Sequence, residues 1–570
     1  MDMEGLPVTG PLATADSDYD VAIIGAGPVG LLLGNMLGEQ GLRVLILEAL
    51  PALIDYPRGV GMDDESLRAL QSVKLVDRVL PHLTPFHIMR LVTGKGRVFA
   101  SFDPQTDEFG WPRRNAFIQP LVDRELAAGL NRYACVELRL GHTATTLEQN
   151  DEGVTLGLTT ADGVNFKVKA RFLVGADGGR SWTRTTLGIP FEGTTHPNRW
   201  IVVDIADDPM GLPNAYLHAD PQRPYASIAL PHGIRRLEFM LFPGEGNDVD
   251  IPRDVLDKML ARVMPDPKRI NLIRARIYTH NGRLASTFRK GRVLLAGDAA
   301  HIMPVWQGQG YNSGVRDAFN LGWKLALVAK GACGDLLLDS YGAERREHAG
   351  AMIKASEILG AVFSTRNPVA VFLRDAFTYW ANFVPSVKRY VLEMRWKPMP
   401  RYKEGALEYG PRGFQPASPV GRMFIQPRVA LADGWQGRLD DAIGNGFALI
   451  CWGANPRRWM DPDVSAVLES LNTKVFWAVP MTNLAYEAER HPDITALGDL
   501  DRRLKQWFDQ NPNTVVLLRP DRFVAINCCP QDLNARVRSF AQRIQLKRPG
   551  PTELTSAAPE TQRAFASTRA

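Results

Sequence analysis

The sequence predicts an α/β protein in which an antiparallel sheet is inserted into a parallel-stranded domain, followed by a helical segment and a smaller C-terminal α/β domain. Three observations predict it. The chain opens on two short apolar runs separated by a glycine-rich helical stretch; between about 152 and 241 it changes to short alternating runs; and after a proline-rich passage it ends on buried strands interleaved with helical spacing. At 570 residues, 45% hydrophobic and 23% charged, the composition is globular and excludes disordered, collagen-like and disulfide-scaffold classes.

Residues 1–17 and 549–570 are rich in small, polar and proline residues and read as loose tails. Asp20–Ile24 and Arg43–Glu48 read as parallel buried strands joined by a helix from about Val29 to Gln40. From Val21 to Gly38 there is no charged residue over 18 positions, enough to suggest a membrane span, but Gly25, Gly27, Pro28, Gly30, Gly34 and Gly38 favour strand, turn and helix instead. The first part of this domain is placed at 18–192 and the inserted sheet at 193–280, with Pro231-His232-Gly233 as a turn between two of its strands. The second part and the helices occupy 281–400, where Trp380, Phe383, Tyr390 and Met394 recur at helical intervals. Pro398, Pro400, Pro411, Pro416 and Pro419 mark the boundary before a last domain at 401–548.

Lys and Arg number 67 against 62 Asp and Glu, a net +5 too dilute to argue for nucleic acid. Five cysteines without a C-x-x-C pair point to a reducing compartment. The acidic N-terminus carries neither a secretory signal nor a transit peptide, so the expectation is a cytoplasmic protein with no membrane partner. No His, Cys and carboxylate cluster has ligand spacing, so no metal is expected.

The first motif is Gly25-Ala26-Gly27-Pro28-Val29-Gly30, after a strand and opening a helix, with Glu48 ending the next strand. The first glycine allows the tight turn, the second lets a pyrophosphate approach the backbone, the third lets helix and strand pack closely, and Glu48 accepts hydrogen bonds from a ribose. This is a Rossmann-like dinucleotide site, and there is no second copy. The second motif runs from Arg292 through Gly297-Asp298, His301, Gly308, Gly310-Tyr311-Asn312 and Gly314. A buried strand delivers Asp298 to its end, a glycine-rich loop follows, and a helix begins near Ser313, its N-terminus suited to negative charge on a cofactor ring. A third segment is Leu173-Val-Gly175-Ala-Asp177-Gly178-Gly-Arg180-Ser181-Trp-Thr-Arg184.

Together these segments resemble the single-component FAD-dependent aromatic hydroxylases, in its phenol-hydroxylase branch, along the whole chain. The resemblance implies that the α/β domain binds FAD, with Asp298 near the ribityl and pyrophosphate region, and that Asp177 belongs to a motif serving FAD and nicotinamide. It also implies that Arg58 and Gln119 contact FAD, and that the last domain is a thioredoxin-like appendix. Cys528 and Cys529 are adjacent, so that appendix has no disulfide-exchange site. The phrases Leu53-Ile-Asp-Tyr-Pro-Arg58-Gly, Phe109-Gly-Trp-Pro-Arg-Arg-Asn-Ala-Phe-Ile-Gln119-Pro, Val305-Trp-Gln-Gly-Gln-Gly-Tyr-Asn-Ser and Ser418-Pro-Val-Gly-Arg-Met-Phe-Ile-Gln-Pro narrow the resemblance to hydroxylases of small phenolic carboxylates. Such an enzyme takes NADH and O2 as co-substrates and yields a catechol. Larger aromatic substrates such as polyketides, a flavoprotein that only senses redox state, and a flavin dehydrogenase that does not use oxygen stay open as alternatives. A homo-oligomer is compatible with the sequence.

A phenol needs a group that draws off its proton, and a carboxylate tail needs a cation or several donors. His301 in the cofactor loop, Tyr225 and His232 are the catalytic candidates. Tyr216, Arg235 and Arg236 on the inserted sheet are the substrate-binding ones, with Trp306, which follows Pro304-Val305 where many relatives carry Pro-Pro and whose bulk favours a small ring.

Overall fold

Strands Asp18–Ile24 and Val44–Glu48 are β-branched and leucine-rich because both of their faces are covered, as parallel strands require. They form the centre of a parallel array that runs Val293–Leu295, Asn165–Gly175, Asp18–Ile24, Val44–Glu48, Val136–Leu140. Helix Pro28–Glu39 packs behind it, starting on a proline at the first turn, where a missing N–H costs nothing. The computed structural model describes residues 18–56, 58–246, 251–511 and 513–547; the tails expected at 1–17 and 549–570 lie outside them. Among the described residues no helix is long and apolar enough to cross a membrane, and the uncharged run from Val21 is the strand, turn and helix expected.

The second sheet has eight strands, in the order His301–Ile302, Asn271–Ala285, Phe191–Ala206, Ile234–Met240, Tyr225–Leu230, Ala215–Ala219, Met89–Thr93, Val98–Phe102. Two long strands, Phe191–Ala206 and Asn271–Ala285, pair antiparallel and carry the chain out of the parallel domain and back. The last two strands come from residues 89–102, ahead of the stretch in which the sequence pattern shows a sheet. The turn Pro231-His232-Gly233 is present, with His232 in the left-handed region at φ 58°.

The helical spacing over 343–396 resolves into three helices, Leu336–Ser364, Pro368–Ala381 and Pro385–Leu392, because each proline ends one helix and suits the first turn of the next. The C-terminal sheet places Thr495–Asp499, Lys474–Pro480 and Ala448–Trp452 parallel, then Val515–Leu518 and Val524–Cys528 antiparallel. Helix Leu533–Arg543 follows, which is the thioredoxin-like arrangement. All five cysteines are free.

This sheet docks on the first domain through buried charge. Arg68 donates from Nε and Nη2 to both Asp440 oxygens at 2.6 and 2.8 Å, and Arg519 grips Glu344 with two bonds of 2.8 Å while Lys324 donates to Glu344 at 2.8 Å. Burial alone would raise Glu344; Arg519 and Lys324 outweigh it and hold the carboxyl at about 2. At Lys324 desolvation wins over Glu344 and brings the amine down to about 8, which leaves it mostly charged at neutral pH beside Arg519.

Candidate active site

The three motif glycines have different surroundings. Gly25 adopts φ +109°, and a Cβ there would stand 2.3 Å from the Ala176 carbonyl; a Cβ on Gly30 would stand 2.0 Å from the Gly25 carbonyl oxygen. Both are therefore required by the packing of turn on strand. A Cβ on Gly27 would meet nothing within 4 Å, so this glycine leaves open space where the helix N-terminus opens. That space belongs to a cavity of about 1190 Å³ bounded at this end by Gly25, Gly27, Pro28, Val29 and Glu48. Ala26 donates its N–H to Glu48 Oε2 at 3.0 Å, which fixes the carboxylate beside the turn.

Asp177 is held by Ser181 Oγ at 2.5 Å and by the Thr183 N–H and hydroxyl at 2.9 and 3.0 Å, and it lines the same cavity. Asp298 projects into it beside Gly297, exposed to the open cavity, and desolvation by the surrounding walls raises its carboxyl above the ordinary value. Gln119 accepts from the Gly59 N–H at 2.8 Å and donates to Asp123 at 3.0 Å, and it meets the cavity together with Arg58, Gly310 and Tyr311. Gly30 lies in the first turn of helix Pro28–Glu39, and Asn312 is buried as a staple, accepting from Asp63 N and Ser66 Oγ and donating to the Gly61 and Gly308 carbonyls. The Tyr311 hydroxyl and both amide atoms of cavity-lining Gln307 are buried without partners among the described residues. Open space at a helix start, an acidic residue at each strand end and unsatisfied donors opposite suit a dinucleotide with a flat ring system, so the residues present fit FAD.

The far half of the cavity is walled by the second sheet. Arg236 lies there, bonded from Nε and Nη2 to Asp204 at 2.8 and 2.9 Å, and Arg274 joins the same carboxylate at 2.7 Å. Tyr278 donates to Glu238 Oε2 at 2.9 Å, and both line the wall. Burial raises both groups, and at Tyr278 the Glu238 charge adds to it, so the hydroxyl stays a donor. Trp306 closes the cavity from the cofactor loop, packed on Trp200, His280 and Phe363 at centroid distances of 4.8, 4.4 and 5.0 Å.

The structure turns several expected residues away from this wall. Strand residues alternate faces: Ala226 and Ile228 line the cavity, so Tyr225 stacks behind the sheet on His218 at 4.1 Å. By the same alternation Ala215 and Leu217 face inward and Tyr216 faces out, accepting from Arg90 at 3.2 Å. Arg235 is consumed by Asp208 and the Leu212 carbonyl. His232 sits at the exposed turn, 3.5 Å from His82. His301 is buried with Nε2 2.7 Å from Asp317, and the cavity is lined by its neighbours Ile302 and Met303. The residues that sequence reasoning missed include Arg274, Arg276 and Tyr278, whose spacing of two is itself the signal for one face of a strand, and His87, Arg114 and Glu238.

Residues 18–356 match the family model described as FAD binding domain, and residues 421–543 match that described as HcaD C-terminal domain. The chain is 49% identical over 570 residues to the 3-(3-hydroxy-phenyl)propionate/3-hydroxycinnamic acid hydroxylase 1 of Burkholderia vietnamiensis, covering 93% of this chain and 92% of that one. It is 52% identical over 526 residues to the 3-(3-hydroxy-phenyl)propionate/3-hydroxycinnamic acid hydroxylase of Klebsiella pneumoniae, covering 92% and 95%. Among solved structures, the flavin-dependent monooxygenase PieE in complex with FAD and substrate shares the fold, with a TM-score of 0.76 at 20% identity over 93% of this chain and all of that one. The anhydrotetracycline hydroxylase OxyS from Streptomyces rimosus matches with a TM-score of 0.73 at 25% identity, over 94% and 100%.

Proposed function

The chain belongs to the FAD-binding hydroxylase family, and from that premise we propose that it converts 3-(3-hydroxyphenyl)propionate and 3-hydroxycinnamate to their 2,3-dihydroxy catechols in the cytoplasm, consuming NADH and O2. The observation that carries this reading is the single cavity that joins the glycine cradle to the wall of the second sheet, in a chain about half identical to named hydroxylases of these acids over almost its whole length.

In this reading Gly25, Gly27 and the start of helix Pro28–Glu39 receive the pyrophosphate, Glu48 the ribose, and Asp177, Asp298, Gln119, Arg58, Gly310 and Tyr311 the rest of FAD. FAD, when bound, supplies hydride acceptance from NADH and activation of oxygen. The protein orients the aromatic ring and keeps water out, work that falls to Trp306, Met303, Met89, Leu217 and Ile228. Tyr278 and Glu238 offer the donor and acceptor pair that a phenol hydroxyl needs.

The test is NADH oxidation in air with and without 3-(3-hydroxyphenyl)propionate, scoring catechol formed per NADH. A large stimulation with a ratio near one is expected. Stimulation that yields peroxide in place of catechol, or none at all, would move a larger aromatic substrate ahead of this one.

A further inference from the structure

Five other arginines on the cavity wall are either paired or open to solvent. Arg236 and Arg274 share Asp204, while Arg58, Arg180 and Arg276 are exposed. Arg114 is different. It lines the cavity, is only partly exposed, and its Nε is buried without a hydrogen-bond partner; among the described residues no carboxylate pairs with its guanidinium. A cation partly desolvated in a cavity with no anion beside it is costly, and such a group marks a place where an anionic ligand gains by binding. Desolvation with nothing opposing it lowers Arg114 to about 10, which leaves it charged at neutral pH.

Its position is on the sheet side. The Arg114 carbonyl accepts from the His87 N–H at 3.0 Å, and the next residue, Asn115, pairs with Pro85, so Arg114 stands at the entrance to strand Met89–Thr93. His87 lines the cavity too, and its Nε2 is buried without a partner among the described residues. Burial and the Arg114 charge hold that ring down at about 3, so it is neutral and adds no second charge. The neighbouring wall is apolar, with Met89, Ala215 and Ile228. A charged end beside an apolar wall suits a short hydrocarbon chain that ends in an anion.

We propose that Arg114, with His87 beside it, is the anchor for the carboxylate of the substrate's propionate or acrylate tail. The assignment rests on the functional reading above and names which residue confers its preference for acids. An arginine fork meets a carboxylate through two parallel hydrogen bonds, and the distance from that bond along the tail sets where the ring lies in the cavity.

The experiment compares 3-(3-hydroxyphenyl)propionate with its uncharged amide and with 3-propylphenol, on the FAD-loaded wild type and the Arg114→Gln and Arg114→Lys variants. Dissociation constants are read from the perturbation of flavin absorbance, and KM and kcat from catechol formation. Hydrogen bonds to a charged group lead us to expect a roughly 10- to 100-fold weaker acid in Arg114→Gln, the neutral phenol within about twofold of wild type, and partial recovery in Arg114→Lys. Equal weakening of acid and neutral phenol, or an unchanged acid, would overturn the anchor. Should Arg114→Gln fail to fold, the wild type decides alone, because binding the amide as tightly as the acid also overturns it. A wild type that neither binds nor hydroxylates the acid refutes the functional reading; one that does both, while Arg114→Gln keeps the preference for acid, refutes only the anchor.

Discussion

His301 and Asp317 form a buried pair, Nε2 to Oδ2 2.7 Å, and the same Asp317 oxygen accepts from the Gly297 N–H at 2.9 Å. Its other oxygen accepts from Arg345 Nε at 2.8 Å. Burial alone would raise Asp317; His301 and Arg345 outweigh it and keep the carboxyl below its ordinary value. The pair therefore sets the backbone turn that presents Asp298. His301→Gln is expected to lower kcat less than about tenfold with the pH profile unchanged, since a proton-transfer role would cost roughly 10²- to 10⁴-fold. Asp317→Ala leaves Arg345 buried without its partner and should cost about 3–5 kcal/mol with loss of bound FAD, read by denaturant unfolding and flavin absorbance.

The glycine cradle separates folding from binding. Gly27→Ala fills open space, so the apoprotein should unfold at the wild-type denaturant midpoint while FAD affinity falls roughly 5- to 150-fold, the equivalent of overpacking by about 1–3 kcal/mol. Gly30→Ala drives a methyl into the Gly25 carbonyl and should lower the midpoint of the apoprotein itself. Equal effects of the two substitutions on apoprotein stability would contradict this division.

Acid should undo the docking of the C-terminal sheet. Glu344 has an ordinary value of 4.5 and is held at about 2 in the folded chain. Its contribution is complete above pH 4.5 and is lost as pH falls through 2. Glu344→Gln should destabilise the protein at pH 7 by about 3–5 kcal/mol and narrow its gap to wild type as pH drops below 4.5, measured by urea unfolding at several pH values.

Trp306 packs on three aromatic rings, and its Nε1 would lie 2.2 Å from a Cβ on Gly360. Trp306→Ala should cost about 3–5 kcal/mol, as large-to-small core changes do. It should also admit larger phenols and divert NADH to peroxide because water enters. A coupling ratio equal to wild type would show that Trp306 does not close the cavity.

The cofactor end was legible because its constraints are local. Gly25, Gly30 and Gly297 are demanded by backbone turns a few residues long, and such turns leave a signature in order and spacing. The sheet wall was not. Whether Tyr225 or Ala226 faces the cavity depends on which face of a strand is covered, and helix Arg253–Leu260 packs behind that sheet to settle it. Arg114 stood in a phrase that supported the resemblance, yet its role follows only from the absence of a partner. The strands at 89–102 join a sheet assembled mostly from residues far along the chain, which no window reveals.

Arg68 with Asp440 and Arg519 with Glu344 have one member on each side of the boundary between the first domain and the C-terminal sheet. Separated, Arg68 would lose its carboxylate, while Glu344 and Arg519 would each keep a single charged partner of their own side, Lys324 and Asp521. The two regions are thus inherited as a unit: recombination that exchanged the C-terminal sheet for another would carry over a working fold only if the newcomer brought its own arginine and aspartate to those two places.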